Sequence, residues 1–122
     1  MSLSCKVRRV GDVSILDLKG EITLVLRGDD SVQLLEVVRN LTGEGSKYIL
    51  LNLAGVTRMD SAGIGQLIAT HTSTRSRGAQ LKLLKPMPEV RKLLEMTQLV
   101  KVLEVHDDEE RAIRSFSASH AA

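Results

Sequence analysis

The residues best suited to chemistry lie in one segment, Met-Asp-Ser-Ala-Gly-Ile-Gly at positions 59–65. This segment follows the apolar run 48–53, so the pattern predicts a buried strand that passes through a short turn into a helix. The first turn of a helix has unpaired backbone N–H groups and the positive end of the helix dipole, and both tolerate a phosphate well. Because no base lies near Ser61 in the sequence, the segment favours modification of its hydroxyl over catalysis by it.

The chain lacks the residues that four classes of enzyme site require. A dinucleotide-binding fingerprint needs a third glycine where the chain has Ile68, and an acid after the following strand. A phosphate-binding P-loop needs a Gly-Lys-Ser/Thr ending, which is absent. His71 follows Ser61 on the same predicted helix at about 15 Å, which is too far for a general base. No histidines or cysteines cluster at metal-ligand spacing. We therefore predict no enzymatic activity, no cofactor and no metal site.

Length and composition indicate one globular domain. The 122 residues are 43% apolar and 26% charged, which is ordinary for a protein with a packed core. A net charge of +2 and a single pair of aromatic residues, Tyr48 and Phe116, argue against nucleic-acid binding. No apolar run approaches the roughly 20 residues that span a bilayer, and no signal-peptide pattern is present. With Cys5 as the single cysteine, these features predict a cytoplasmic protein.

The first half of the chain predicts a hairpin, a helix and a buried strand. Residues 3–10 alternate as a strand, Gly11-Asp12 is a hairpin turn, and the return strand ends at Gly20. Asp30 and Gln33 are predicted to form a capping box for a helix that ends near Gly43. The apolar run 48–53 predicts a central strand that is buried on both faces.

The second half alternates helices with strands. The helix from Ser61 is predicted to bury a stripe of Ile64, Leu67, Ile68 and His71 and to stop near Gly78. A strand over 80–85, a helix from Pro88, a strand over 100–105 and a final helix capped by Asp107 and Glu110 follow. Residues 117–122 are predicted to be a loose tail. The fold class is therefore α/β, with the order ββαβαβαβα and a mixed sheet of four or five strands.

Residues 51–65 resemble the signature of STAS domains, and in particular that of bacterial anti-anti-sigma factors. The resemblance rests on Leu-Asn-Leu at 51–53, Val56 and the segment 59–65. Leu18-x-Gly20-Glu21-Ile22 is similar to the end of the family's second strand, and Gly78-x-x-Leu81 to its turn and strand after the second helix. Residues 90–103 are similar to its third helix and last strand. The resemblance covers about residues 5–116 and implies one STAS domain over residues 1–116.

The resemblance implies an anti-sigma factor antagonist that works by partner switching. In such families the unmodified protein binds an anti-sigma factor that is also a serine kinase, and this binding frees a sigma factor. The kinase uses ATP to phosphorylate the serine at the position of Ser61, and a phosphatase reverses the reaction. Phosphorylation would add about −1.5 to −2 charges beside Asp60 and repel a partner surface that fits the neutral hydroxyl. Neither direct nucleic-acid binding nor membrane insertion is expected.

The implied docking surface surrounds the phosphorylation site Ser61. Thr23 replaces an acidic residue found in many relatives, which is expected to alter recognition by the kinase or phosphatase. Gln98 replaces a frequent glycine after the third helix. Gly63 and Gly65 each weaken the helix by about 1 kcal/mol relative to alanine. Their presence predicts that a partner or a neighbouring strand approaches the helix backbone closely at these positions. The predicted partner-binding residues are Glu21, Thr23, Asp60, Ser61, Ala62, Gly63 and Gly65.

Three alternatives stay open at this point. Asp60 or Ser61 could simply cap the helix. The domain could be a STAS interaction module, acting as a scaffold or a transporter accessory subunit, without a phosphorylation switch. A small-molecule or nucleotide-binding domain, or an unrecognised enzyme, is the third reading, and a ligand-dependent thermal shift would support it.

Overall fold

The structure, a computed structural model, describes residues 3–24 and 33–120, the last four by their backbone alone. The observed order of elements confirms the predicted ββαβαβαβα pattern. The strands are β1 (Leu3–Val10), β2 (Val13–Ile22), β3 (Tyr48–Met59), β4 (Gln80–Leu84) and β5 (Val105–His106). The helices are α1 (Leu34–Gly43), α2 (Ser61–Ser76), α3 (Pro88–Met96) and α4 (Glu109–His120), with a short 3-10 turn at Leu99–Lys101.

The five strands form one mixed sheet in the order β1-β2-β3-β4-β5. β1 and β2 pair antiparallel across the predicted turn, where Gly11 has a φ of +59°. The remaining neighbours pair in parallel, as the alternation of strands with helices requires. β2 runs two residues beyond the predicted end at Gly20, so that Glu21 lies opposite Arg58 and Ile22 opposite Met59. This extension brings the end of β2 beside the end of β3.

The core has two layers, one on each face of β3, which confirms the prediction of a central strand buried on both sides. Helices α1, α2 and α3 cover one face, where Ile49 and Leu51 are fully buried. Helix α4 covers the other face, where Phe116 packs against Leu50. Among residues 3–24 and 33–120, no helix combines the length and apolar character that a membrane span needs.

The last strand is shorter than predicted. A strand was expected over 100–105, but β5 comprises only Val105 and His106, so most of that prediction was wrong. The backbone N–H groups of Val102 and Leu103 donate to the Leu99 carbonyl at 3.0 and 2.9 Å, which makes a turn. Leu99 and Leu103 are both buried, and a spacing of four residues suits a helical turn rather than a strand. Only Val105 and His106 pair with β4.

The buried face of α2 also differs from the prediction. Ile64 and Leu67 are buried as expected, whereas Ile68 is 47% exposed and His71 is only half-buried. Thr70 and Thr74 take their place, because each hydroxyl donates to the carbonyl four residues earlier, at 2.6 and 2.7 Å. With its polar atom satisfied inside the helix, a threonine packs as a small apolar residue. The outer face of α2 therefore carries an exposed isoleucine.

Two predicted caps have different outcomes. Asp30 lies outside the described residues, and Gln33 precedes α1 without a side-chain cap. The prediction that Asp107 caps α4 was wrong: Asp108 Oδ2 accepts from the Arg111 backbone N–H at 3.0 Å, and Asp107 pairs with Arg91. The backbone of α4 continues to His120, so residues 117–120 extend the helix into the segment predicted as a tail.

Candidate docking and phosphorylation site

The site lies where β2 and β3 end and α2 begins. Asp60 precedes the helix in an extended conformation, and its Oδ1 accepts a hydrogen bond from the Gly63 backbone N–H at 2.9 Å. This is the geometry of an N-cap, and it satisfies one of the unpaired donors of the first turn. Asp60 therefore caps α2, and Ser61 is not needed for that purpose.

Ser61 is the first residue of α2 and is exposed to solvent. Its hydroxyl forms no hydrogen bond with any residue in the described part of the chain. His71, the histidine on the same helix, lies about 15 Å along the axis and does not reach it. Burial lowers the pKa of His71, and nearby Arg75 lowers it further. The hydroxyl is thus available to an enzyme or a partner, and within residues 3–24 and 33–120 no side chain hydrogen-bonds to it as a base would.

The two glycines of the segment have different surroundings. Gly63 is buried, and a Cβ added there would lie 1.9 Å from the Ile22 carbonyl oxygen. Its hydrogen lets the start of α2 pack directly against the end of β2. This confirms the predicted close approach, and the neighbour is a strand. Gly65 is exposed, and a Cβ added there would meet no atom within 4 Å in the part of the chain that the structure describes.

The segment after β2 packs against α2 and completes the site. The Gln66 side chain donates from Nε2 to the Thr23 carbonyl at 2.7 Å, which ties this segment to the helix. Glu21 and Thr23 are both half-buried. A shallow cavity of about 220 Å³ is lined by Glu21, Thr23, Leu24, Arg58 and Asp60. Glu21 and Thr23 are therefore neighbours of Asp60 in the fold, although they lie far from it in the sequence.

Three residues of this surface escaped the sequence reasoning. Arg58 is the cation of the cavity, Leu24 is 64% exposed, and Gln66 positions Thr23. Arg58 lies two residues before Asp60, but the strand was predicted over 48–53 only, whereas β3 continues to Met59 and carries Arg58 to the site. Contacts of Gln66 and Leu24 depend on the path of the chain after β2, which no local pattern specifies. Ala62 is half-buried beside Ser61.

The site does not have the composition of a metal centre. Among the described residues, no group of three or more His, Cys, Asp or Glu side chains is arranged to hold a metal ion. The cavity is lined by two acidic side chains, Glu21 and Asp60, and by the cationic side chain of Arg58.

The fold and the site together define an α/β domain that exposes a serine at the start of its second helix. A model of the STAS domain family matches residues 4–112 of the chain. The chain therefore belongs to the STAS domain family.

The chain is similar in sequence or in fold to several anti-sigma factor antagonists. It is 26% identical over 113 residues to an anti-sigma F factor antagonist from Paenibacillus polymyxa, covering 93% of this chain and 94% of that protein. Its fold is similar to that of an anti-sigma factor antagonist from Mycobacterium paratuberculosis, with a TM-score of 0.78, 19% identity and 93% of both chains covered. It is also similar to the phosphorylated form of SpoIIAA from Bacillus, with a TM-score of 0.67 and 21% identity over 93% of this chain and 99% of that one.

Proposed function

We propose that this STAS domain is an anti-sigma factor antagonist that phosphorylation of Ser61 switches off. The observation that carries the proposal is the Ser61 hydroxyl, which is exposed and unused by the described fold. The names of the relatives from P. polymyxa and M. paratuberculosis support the class of function. The phosphorylated SpoIIAA structure supports modification of this fold.

The proposed switch is electrostatic. Phosphoserine carries about −1.5 to −2 charges near neutral pH, and here they would join the carboxylates of Asp60 and Glu21 at one surface. A partner surface that fits the neutral hydroxyl then meets bulk and like charge, which weakens docking by several kcal/mol in typical interfaces. The start of a helix accommodates the phosphate, so the domain stays folded in both states.

The proposed docking surface comprises Ser61 and the residues around it. Glu21, Thr23 and Asp60 line the neighbouring cavity, and Ala62 and Gly65 continue the helix. Gly63 belongs to the set through the position that it gives α2, since it is itself buried. The partner is a protein that is both an anti-sigma factor and a serine kinase.

The rest of the cycle follows from this role. A phosphatase removes the phosphate from Ser61, and the domain itself catalyses no reaction. Binding to the anti-sigma factor releases a sigma factor in the cytoplasm and so regulates transcription without direct contact with nucleic acid. A scaffold or transporter subunit of the same fold would instead require a partner that does not phosphorylate Ser61.

The proposal is tested with the kinase itself. Its activity is followed through purification from the source cell by ATP-dependent transfer of phosphate to this domain, with Ser61→Ala as the blank. One phosphate on Ser61 is expected, and none on the Ser61→Ala variant. Phosphate transfer elsewhere, or no transfer, would contradict the proposal.

Binding of the purified kinase then tests the switch. Ser61→Ala is expected to bind like the wild type, and Ser61→Asp at least about tenfold more weakly, because the carboxylate adds repulsion beside Asp60. Ser76→Asp is the matched control, since it adds the same charge at an exposed position at the other end of α2. Equal affinities of Ser61→Ala and Ser61→Asp for the kinase would show that a negative charge at this position does not affect binding.

A further inference from the structure

Gly65 is a glycine that the described fold does not require. It is the fifth residue of α2 and exposed, and its φ lies outside the left-handed region that favours glycine. A methyl group there would meet no atom of the described residues within 4 Å. Alanine would fit without strain and would favour the helix. Gly63, two residues earlier, contrasts with it, since the Ile22 carbonyl oxygen excludes any side chain there.

Gly65 lies on the same face of α2 as Ser61. Residues four apart on a helix are neighbours, so a surface that covers Ser61 also reaches Gly65. Ile68, in the next turn, is 47% exposed. The sequence of α2 contains no charged residue before Arg75. The outer face of the helix is therefore uncharged, and its apolar and small residues continue directly from the proposed phosphorylation site.

We propose that Gly65 is a specificity-determining residue, against whose Cα the partner protein packs with no room for a methyl group. The inference rests on the proposed function, because it takes the anti-sigma factor that docks over Ser61 as the occupant of this surface. It predicts opposite effects of one substitution. Gly65→Ala stabilises the free domain and weakens the complex, because the added carbon favours the helix but collides with the partner.

The experiment compares Gly65→Ala with Gly43→Ala by thermal unfolding and by titration with the purified Ser61 kinase. Gly43 is the matched control, since it is an exposed helical residue whose added Cβ would have Arg77 Nη1, at 4.0 Å, as its nearest neighbour among the described residues. Gly65→Ala is expected to raise Tm by about 4 °C and to weaken binding at least about tenfold. Gly43→Ala is expected to bind like the wild type.

The outcomes separate this inference from the proposed function. If Ser61→Asp loses binding while Gly65→Ala binds like the wild type, the packing at Gly65 is refuted and the switch stands. If the wild type does not bind the kinase, the proposed function fails and this inference fails with it. Lower stability of Gly65→Ala would also refute the inference, because it would show that the fold itself requires the glycine.

Discussion

Asp60 and Ser61 are adjacent in sequence but differ in what they contribute. The carboxylate of Asp60 is bound to the Gly63 backbone N–H, while the hydroxyl of Ser61 has no partner among the described residues. The sequence left open which of the two caps the helix, because serine and aspartate are equally good at that position. The backbone decides between them, since Asp60 precedes the first helical residue and Ser61 is that residue.

This division predicts different stabilities for two alanine variants. Asp60→Ala removes the cap and is expected to lower the free energy of unfolding by about 1 kcal/mol. Ser61→Ala removes no bond that the described fold uses and is expected to leave it within about 0.5 kcal/mol of the wild type. Urea unfolding of both variants measures the difference. An equal loss in both would mean that Ser61 shares the cap.

At the scale of elements, the sequence predicted the order of strands and helices but missed finer choices. The run 48–53 identifies β3 because it is apolar on both alternating faces and has no helical period. The error over 100–105 arose because Val100 and Val102 favour a strand by residue type. The burial of Leu99 and Leu103 outweighs that preference and makes a turn. Ile68 was misplaced because two threonines satisfy their hydroxyls internally, which hydrophobicity does not reveal.

The connection after α3 holds a residue in an unfavourable conformation. Gln98 has a φ of +60° and a ψ of 19°, the left-handed region that glycine adopts freely. The sequence had singled out this position, because relatives often have glycine there. The structure supplies the physical reason, since the chain must turn sharply between α3 and the Leu99–Lys101 turn.

Gln98→Gly is therefore expected to stabilise the domain by about 0.5–1 kcal/mol, since the relief of strain outweighs the greater freedom of the unfolded chain. Thr97→Gly is the control, because Thr97 has a negative φ and should lose stability on the same change. Chemical unfolding of both variants measures the two signs. A loss of stability in Gln98→Gly would show that the glutamine side chain contributes a contact.

At the scale of the whole molecule, one arginine joins the first hairpin to the last helix. Arg8 Nε donates to Asp17 Oδ2 at 2.7 Å, and its Nη1 donates to Glu109 Oε2 at 3.1 Å. Asn52 donates to the other oxygen of Asp17 at 2.7 Å, which extends the network to β3. The hydrogen bonds from Arg8 lower the pKa of Asp17 and of Glu109. The network ties β1, β2, β3 and α4 together.

The lowered pKa values give the stability a pH dependence of known sign. Carboxylates with a lowered pKa in the folded state stabilise it fully above their ordinary pKa and lose this contribution as the pH falls below about 4.5. Arg8→Met is expected to make the acid limb of the stability curve shallower, because both carboxylates return toward their ordinary pKa. Unfolding free energies from pH 7 to pH 3 test this, with the exposed Arg39→Met as control. An unchanged acid limb in Arg8→Met would contradict the assigned cause.

The tight fit of Gly63 under the Ile22 carbonyl has a consequence for how this domain can carry information. The start of α2 already packs directly against the end of β2, so the helix cannot move closer to the sheet to make space for a bulky group. A phosphate added to Ser61 would therefore stay at the surface, where a molecule must contact it directly in order to recognise it.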